Sequence, residues 1–284
     1  MATYNVNTIQ QFNDAIAGAG SGDIIEVNSD LDWNDVFDTQ TTRVVLAGGD
    51  TINGLTINGN NHAINNLTKG MIKGAGYGIF NFGGSTNIKI DSLSFLNCSF
   101  GGSSEQIIYC YGSCTVKNAV IQGKFKGAMF RGSGFKVTDS MITCTYSRGS
   151  QVFGGLGGGN VSYNYCWIYL DDCVYEYAGS AYFVGLNGCY IEGKLGITSA
   201  PDSPNVFASV DNCCINCTVN PLNEPVLSDF ITTPSGSDTL PTIINITKIP
   251  ALSDFSDTQN VKLVTDEQMK DAEYLASIGF DIIP

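Results

Sequence analysis

Apolar and polar residues alternate with a period of two over short stretches of this chain, and the stretches return at regular intervals. From residue 166 to 171, Cys166, Ile168 and Leu170 fall on one face and Trp167, Tyr169 and Asp171 on the other. That is the pattern of a strand buried on one side. Between residues 90 and 215 one unit recurs: apolar, any residue, Asn/Asp/Ser/Gly, small, any residue, Ile/Phe. It begins at Ile90, Val116, Val137, Tyr163, Leu186 and Val210. A strand-like unit with a period of roughly 20–30 residues predicts a solenoid, whose stacked turns bury a core that no single turn could bury.

A second series precedes the units, an apolar residue followed by an aromatic one. The pairs are Ile79-Phe80, Ile108-Tyr109, Met129-Phe130, Val152-Phe153, Tyr182-Phe183 and Val206-Phe207. Each repeat is therefore predicted to hold two short strands joined by a glycine-rich corner, supplied by Gly112, Gly132 and Gly134, Gly154 and Gly155, Gly157 to Gly159, and Gly185. Like residues should then stack on neighbouring turns, with an aliphatic ladder at the Ile/Phe position and an aromatic ladder at the Phe position. Cys166, Cys189 and Cys213 share the small inward position of three consecutive units, and Cys144 and Cys217 share another. Repeat position thus explains them as free, packed thiols, in place of a disulfide framework. Cys110 with Cys114, and Cys213 and Cys214 with Cys217, lack the second matching pair and the His of a zinc site.

The ends read differently. Thr8 to Gln11 has the form of a capping box, with Ile9, Phe12 and Ile16 at helical spacing and Gly18 as a stop, so a short helix should plug the first turn. Thr265 to Gln268 repeats the signal, with Met269, Ala272, Leu275 and Ala276 as the apolar face and Gly279 as the end. Between solenoid and helix lie Pro221, Pro225, Pro234, Pro241 and Pro250, an excursion that is either a packed cap or an arm for a neighbouring subunit. The expected division is 1–22 for the first strand and capping helix, 23–221 for the solenoid, and 222–284 for a C-terminal extension with its helix.

The phrase from Gly54 to Leu67, Gly-Leu-Thr-Ile-Asn-Gly-Asn-Asn-His-Ala-Ile-Asn-Asn-Leu, resembles the first turn of pectate-lyase-like parallel β-helix proteins. The opening Met1 to Val6, the helix, and Gly22 to Val27 are similar to the start of phage and prophage β-helix proteins, and Thr265 to Phe280 to a tail piece of related surface proteins. The resemblance implies an all-β fold, a single-stranded right-handed parallel β-helix with short capping helices at both ends. It further implies a tail-fibre or tailspike-like structural or receptor-binding protein, located in the virion or otherwise extracellular or on a cell surface. Its implied partners are host-surface glycan, other virion proteins, and further copies of itself, commonly as a trimer.

Composition narrows the rest. Apolar residues at 43%, charged residues at 14% and 33 glycines suit a turn-rich β protein. A net charge of −13 and a pI near 4.3 argue against nucleic acid, whose backbone needs Lys and Arg, and against docking on anionic lipid. No long apolar run predicts a membrane span, and the N-terminus shows no export signal, which points to a cytosolic protein or one carried out within a particle. No cofactor and no metal is expected. Asp30-Leu-Asp32-Trp-Asn34 begins like a calcium loop but lacks the glycine at its turn and the closing Glu.

Enzymes of the resembling family were the natural test for chemistry. Their His, Arg and Lys signatures are missing; one Asp pair, Asp171-Asp172, is present, and the single His62 sits far from it in sequence. The most suggestive surface is the outward face of the fourth and fifth units. Trp167, Tyr169 and Asp171 alternate on one strand, and alignment sets Tyr190, Glu192 and Lys194 beside them, with Tyr175 and Tyr177 in the following connection. Rings edged by carboxylates suit sugars, whose C–H faces stack while their hydroxyls hydrogen-bond. The expected ligand-binding set is Trp167, Tyr169, Asp171, Tyr175, Tyr177, Tyr190 and Glu192. The expected function is non-catalytic recognition of host glycan or contact with neighbouring subunits. The alternatives are a polysaccharide lyase or glycosidase working through Asp171, Asp172 and Glu192, and a bacterial adhesin of the same fold.

Overall fold

In a computed structural model the chain winds into a parallel β-solenoid. The structure describes residues 1–35, 44–45, 51–68, 78–102, 105–149, 152–153, 161–175, 183–197, 207–211, 213–220, 231–232, 242–244 and 261–278. Three rows of strands run along it. The first row contains the leading parts of Thr56–Asn65 and Ile88–Phe100, then Ser113–Lys117, Gly134–Thr138, Val161–Asn164, Phe183–Asn187, Phe207–Asp211 and Ile231–Thr232. The second takes the trailing parts of the same two long strands, then Val120–Phe125, Met141–Gly149, Trp167–Tyr175, Tyr190–Ile197, Cys214–Asn220, Thr242–Ile244 and Val261–Leu263. The third is shorter, with Val44–Val45, Phe80–Gly83, Ile108–Cys110 and Phe130–Arg131.

The recurring unit is the corner between the first two rows. Its third residue adopts a left-handed conformation on successive turns: Ser92 at φ 56°, Asn118 at 54°, Asp139 at 49°, Tyr165 at 54° and Gly188 at 62°. Asn, Asp and Gly tolerate that region best, which accounts for the composition of the position. The next residue turns inward, and on the turns of Ser140, Cys166 and Cys189 its small polar group has a fixed task. Ser140 Oγ donates to Thr138 O at 2.7 Å, Cys166 Sγ to Asn164 O at 3.4 Å, and Cys189 Sγ to Asn187 O at 3.5 Å. The same group accepts from the turn before, Ala119 N donating to Ser140 Oγ and Cys189 N to Cys213 Sγ. The cysteines here are thus small apolar residues that also serve a hydrogen bond, and all ten cysteines are free and buried.

Beyond the corner the aliphatic ladder runs as the repeat predicts. Ile64, Phe95, Ile121, Ile142, Ile168, Ile191, Ile215 and Ile244 stand in register, one above the next. The aromatic ladder needs two corrections. The third row aligns Phe80, Ile108 and Phe130, so the member from the second turn is Ile107-Ile108, and Tyr109 points out. An aliphatic residue, Ile108, takes the aromatic position on this turn, and the pattern by residue type does not show it. Phe183 and Phe207 pair in the first row, so these two belong to a different strand from Phe80 and Phe130. The rings pack across the core and not as one column: Phe130 stacks on Phe135 at 4.8 Å, and Phe153 meets Tyr163 edge-on. Gly112 and Gly132 are required by close approach. A Cβ on either would stand 1.9 Å from a carbonyl oxygen of the preceding turn, Ser85 O or Cys110 O.

Helix Ile9–Gly18 covers the start of the solenoid. Ile9, Phe12, Ala15 and Ile16 join the main core, with the Phe12 ring edge-on to Phe80 at 5.6 Å. Thr8 caps it by accepting from Gln11 N, while Gln11 Oε1 accepts from Asn7 N, one residue earlier than a capping box requires.

Phe130 is fully buried at the crossing of the third and first rows. Its replacement by Ala should cost about 3–5 kcal/mol, the range for a deleted core aromatic. Urea or thermal unfolding will show it; a midpoint matching the parent would place the ring outside the core.

The buried thiols set a further expectation. Burial pushes Cys98 and Cys189 well above the ordinary value, contact with Cys189 and burial do so for Cys166, and burial holds Cys110 at about 11. Below the ordinary thiol value of 9.0 both states keep their protons and the stabilisation is whole. Above it the unfolded chain loses protons that the native chain retains, so stability falls. Each raised thiol adds up to about 1.4 kcal/mol per pH unit to that slope. Denaturant titrations across the alkaline range should show the fall; a flat profile would mean the thiols ionise freely in the native state.

Candidate functional site

The outward column that follows the corner on successive turns is Val120, Met141, Trp167, Tyr190 and Cys214. Two residues on, a parallel column carries Gln122, Thr143, Tyr169, Glu192 and Asn216. Each residue is locked by the ladder below it: Met141 N donates to Ala119 O, Trp167 N to Ser140 O, Tyr190 N to Cys166 O and Cys214 N to Cys189 O. The pairing of Trp167 with Tyr190 and Tyr169 with Glu192 is as the repeat alignment predicts. Asp171 and Lys194 do not pair in that register, because the ladder shifts between Leu170 and Cys173, where Gly193 lies against Leu170 O with φ 112°.

Trp167 is 37% exposed and Tyr169 41%. The indole does not hang free. Its Nε1 donates to Glu192 Oε1 at 3.0 Å, and its ring stands edge-on to Tyr190 at 6.1 Å. Tyr165, 55% exposed, stands at the third position of its unit. Holding a left-handed corner, it lays its ring over the backbone of Gly188, where a Cβ would come within 2.6 Å of Tyr165 Cδ1. Met141, on the preceding turn, is also exposed. Tyr165 and Met141 were not among the expected site residues. The signal for Tyr165 was its misfit at a position that otherwise takes Asn, Asp, Ser or Gly. Among the described residues the large exposed apolar side chains other than Met1 and Tyr111 all gather here.

Tyr190 is a correction. Expected on an exposed strip, it is only 6% exposed. The chain's own C-terminal helices cover it. Asp266–Met269 begins in a complete capping box, Gln268 N donating to Thr265 Oγ1 and Thr265 N to Gln268 Oε1. Ala272–Ser277 follows, capped by Asp271 accepting from Tyr274 N. One helix through Gly279 was expected; two short ones form, and Ala272 and Ala276 face water. Met269 and Leu275 pack with Val264 on Tyr190 and Cys214, a cluster separate from the main core. Covered in this way, the Tyr190 hydroxyl accepts from Asn216 Nδ2 at 3.3 Å, and burial raises its phenol above the ordinary value.

Asp171 and Asp172 are both exposed beyond Tyr169, with Asp172 opposite Tyr146 on the preceding turn. Glu192 is half-buried and engaged by the indole. Tyr175 is placed by its backbone, between Gly149 and Ile197; its side chain, and Tyr177 altogether, lie outside the described residues. His62 sits on the Thr56–Asn65 strand with Nδ1 3.2 Å from Asp30 Oδ1, several turns from Trp167. Asp30 and Asp32 are spent on local bonds, to Ala63 N and to Asn66 Nδ2 and Asn34 N. No protein-family model and no curated protein sequence matches this chain.

Replacing Glu192 by Ala removes the acceptor that holds the indole. Trp167 should then be quenched more readily by acrylamide, while stability changes by no more than about 1 kcal/mol, the worth of one exposed hydrogen bond. Unchanged quenching would show that the ring is held by packing alone.

Proposed function

We propose that this chain is a non-catalytic recognition protein of the phage-tail type, binding a host-surface glycan through Tyr165, Trp167 and Tyr169. The observation that carries the reading is three exposed aromatic side chains on one turn of a rigid ladder. Exposed rings on adjoining positions mark contact with something. Around them stand hydrogen-bonding groups, Thr143, Asp171 and Glu192, on the same turn and its neighbours. Ring faces for C–H stacking and flanking acceptors for hydroxyls are the requirements of a sugar site. The carboxylates and the net charge of −13 favour a neutral glycan over an acidic one. Glu192 supports binding over hydrolysis, since its carboxylate orients the indole. Support for the phage assignment comes from the solenoid together with the motifs at both ends of the chain.

A glycan array probed with the full chain tests the binding. Trp167→Ala and Tyr169→Ala should each lower binding at least about tenfold, as loss of a stacked ring does, with Lys136→Ala, an exposed position on the first row, unchanged. A shift of Trp167→Ala toward monomer with binding intact would make the face a subunit contact instead. Release of reducing or unsaturated ends that Asp171→Asn or Glu192→Gln abolishes would make the protein an enzyme. Detection of the chain in purified particles tests the tail assignment.

A further inference from the structure

The C-terminal helices lie against the side of the solenoid, on the same outward column that carries Trp167. Their hold is small. Among the described residues of the segment Val264, Met269 and Leu275 are buried, with Tyr274 and Ile278 half-buried beside them, and they rest on Tyr190 and Cys214 in a cluster of their own. The two helices have four and six residues, too short to persist without that contact. Segments with few buried apolar contacts open at low cost and independently of the core. We infer that the C-terminal helical pair is a strap that lifts from the solenoid without unfolding it, uncovering Tyr190 and Cys214 and lengthening the aromatic column from Trp167 onto the next turn.

The geometry supplies a reporter for this motion. Nine of the ten cysteines belong to the main core; Cys214 alone belongs to the cluster beneath the strap, its Sγ 3.8 Å from Met269 Sδ. While covered, its thiol is pushed up to about 12, chiefly by burial, and is unreactive at neutral pH. Lifting the strap frees Cys214 and leaves the other nine where they are. The ring of Tyr190 would come free with it, edge-on to the exposed indole of Trp167.

The full chain is treated under native conditions with N-ethylmaleimide, and the modified cysteines are mapped by mass over time. Cys214 should be labelled alone, long before any core thiol. Met269→Ala should speed that labelling about tenfold, since it trims one of the three buried anchors, and Leu275→Ala, in the other helix, should do the same. Labelling of all ten at one common rate would mean that Cys214 is reached only by global unfolding, and the inference fails. It fails equally if Cys214 stays as protected as the core thiols, or if neither substitution alters its rate. A consequence for recognition rests on the glycan reading: Met269→Ala should change affinity for whichever array glycan the parent binds. A chain that binds no glycan would end that reading and leave the labelling result standing.

Discussion

One residue per turn is held at positive φ between the first and second rows of strands, and the rest of the structure hangs on that corner. Ser92, Asn118, Asp139, Tyr165 and Gly188 occupy it in succession. The bend sends the following side chain inward, where Ser140, Cys166 and Cys189 close a bond to the carbonyl two residues back. It also fixes the phase of everything after it. Two residues past the corner a side chain points out, and three past it Ile or Phe points in, so one local conformation sets the register of the buried ladder and of the outward column together. A slip by one residue would exchange the two, placing Trp167 inside and Ile168 in water.

That coupling is why the aromatic surface can be precise without a cavity. Trp167 and Tyr169 lie on a central strand bonded on both sides, to Met141–Gly149 and to Tyr190–Ile197. Their backbones have no freedom to lose on binding, and the indole is held further by Glu192. A surface ordered in advance spends less of its interaction energy on ordering itself. The cover over Tyr190 obeys a different logic. It is built from two short N-capped helices with few buried residues, which follow the ladder strand Val261–Leu263.

The sequence carried the periodic part of this structure and little of the rest. Period-two alternation and the unit itself were enough to place Trp167 beside Tyr190 and Tyr169 beside Glu192, because stacked turns convert alignment directly into register. The burial of Tyr190 was not legible there. Alternation tells which residues face away from the core but not what later lies over them, and the covering residues, Met269 and Leu275, come more than seventy positions after it. A trace existed: the apolar face of that helix needed a partner, and Cys214 was an apolar residue pointing outward. The frame of the third row is hidden for a local reason: Ile108-Tyr109 fits the apolar-aromatic pattern by residue type, yet Ile108 is the residue in register with Phe80 and Phe130.

In a repeating fold the informative residues are those that break the repeat. The core positions are constrained by their neighbours above and below, so they vary within a narrow range of size, as Ile, Val and Phe do here. Outward positions carry no such constraint, and a costly residue there has no explanation in packing. Tyr165 pays a conformational cost at a corner that Asn or Gly would occupy with less strain, and exposes its ring in doing so. Trp167 stands exposed in a column where the preceding turns place Val120 and Met141. The next turn of that column is the one the C-terminal helices cover. Three departures from the repeat, independent in sequence, meet on adjoining turns of one face, and that convergence is what distinguishes this surface from the sheet around it.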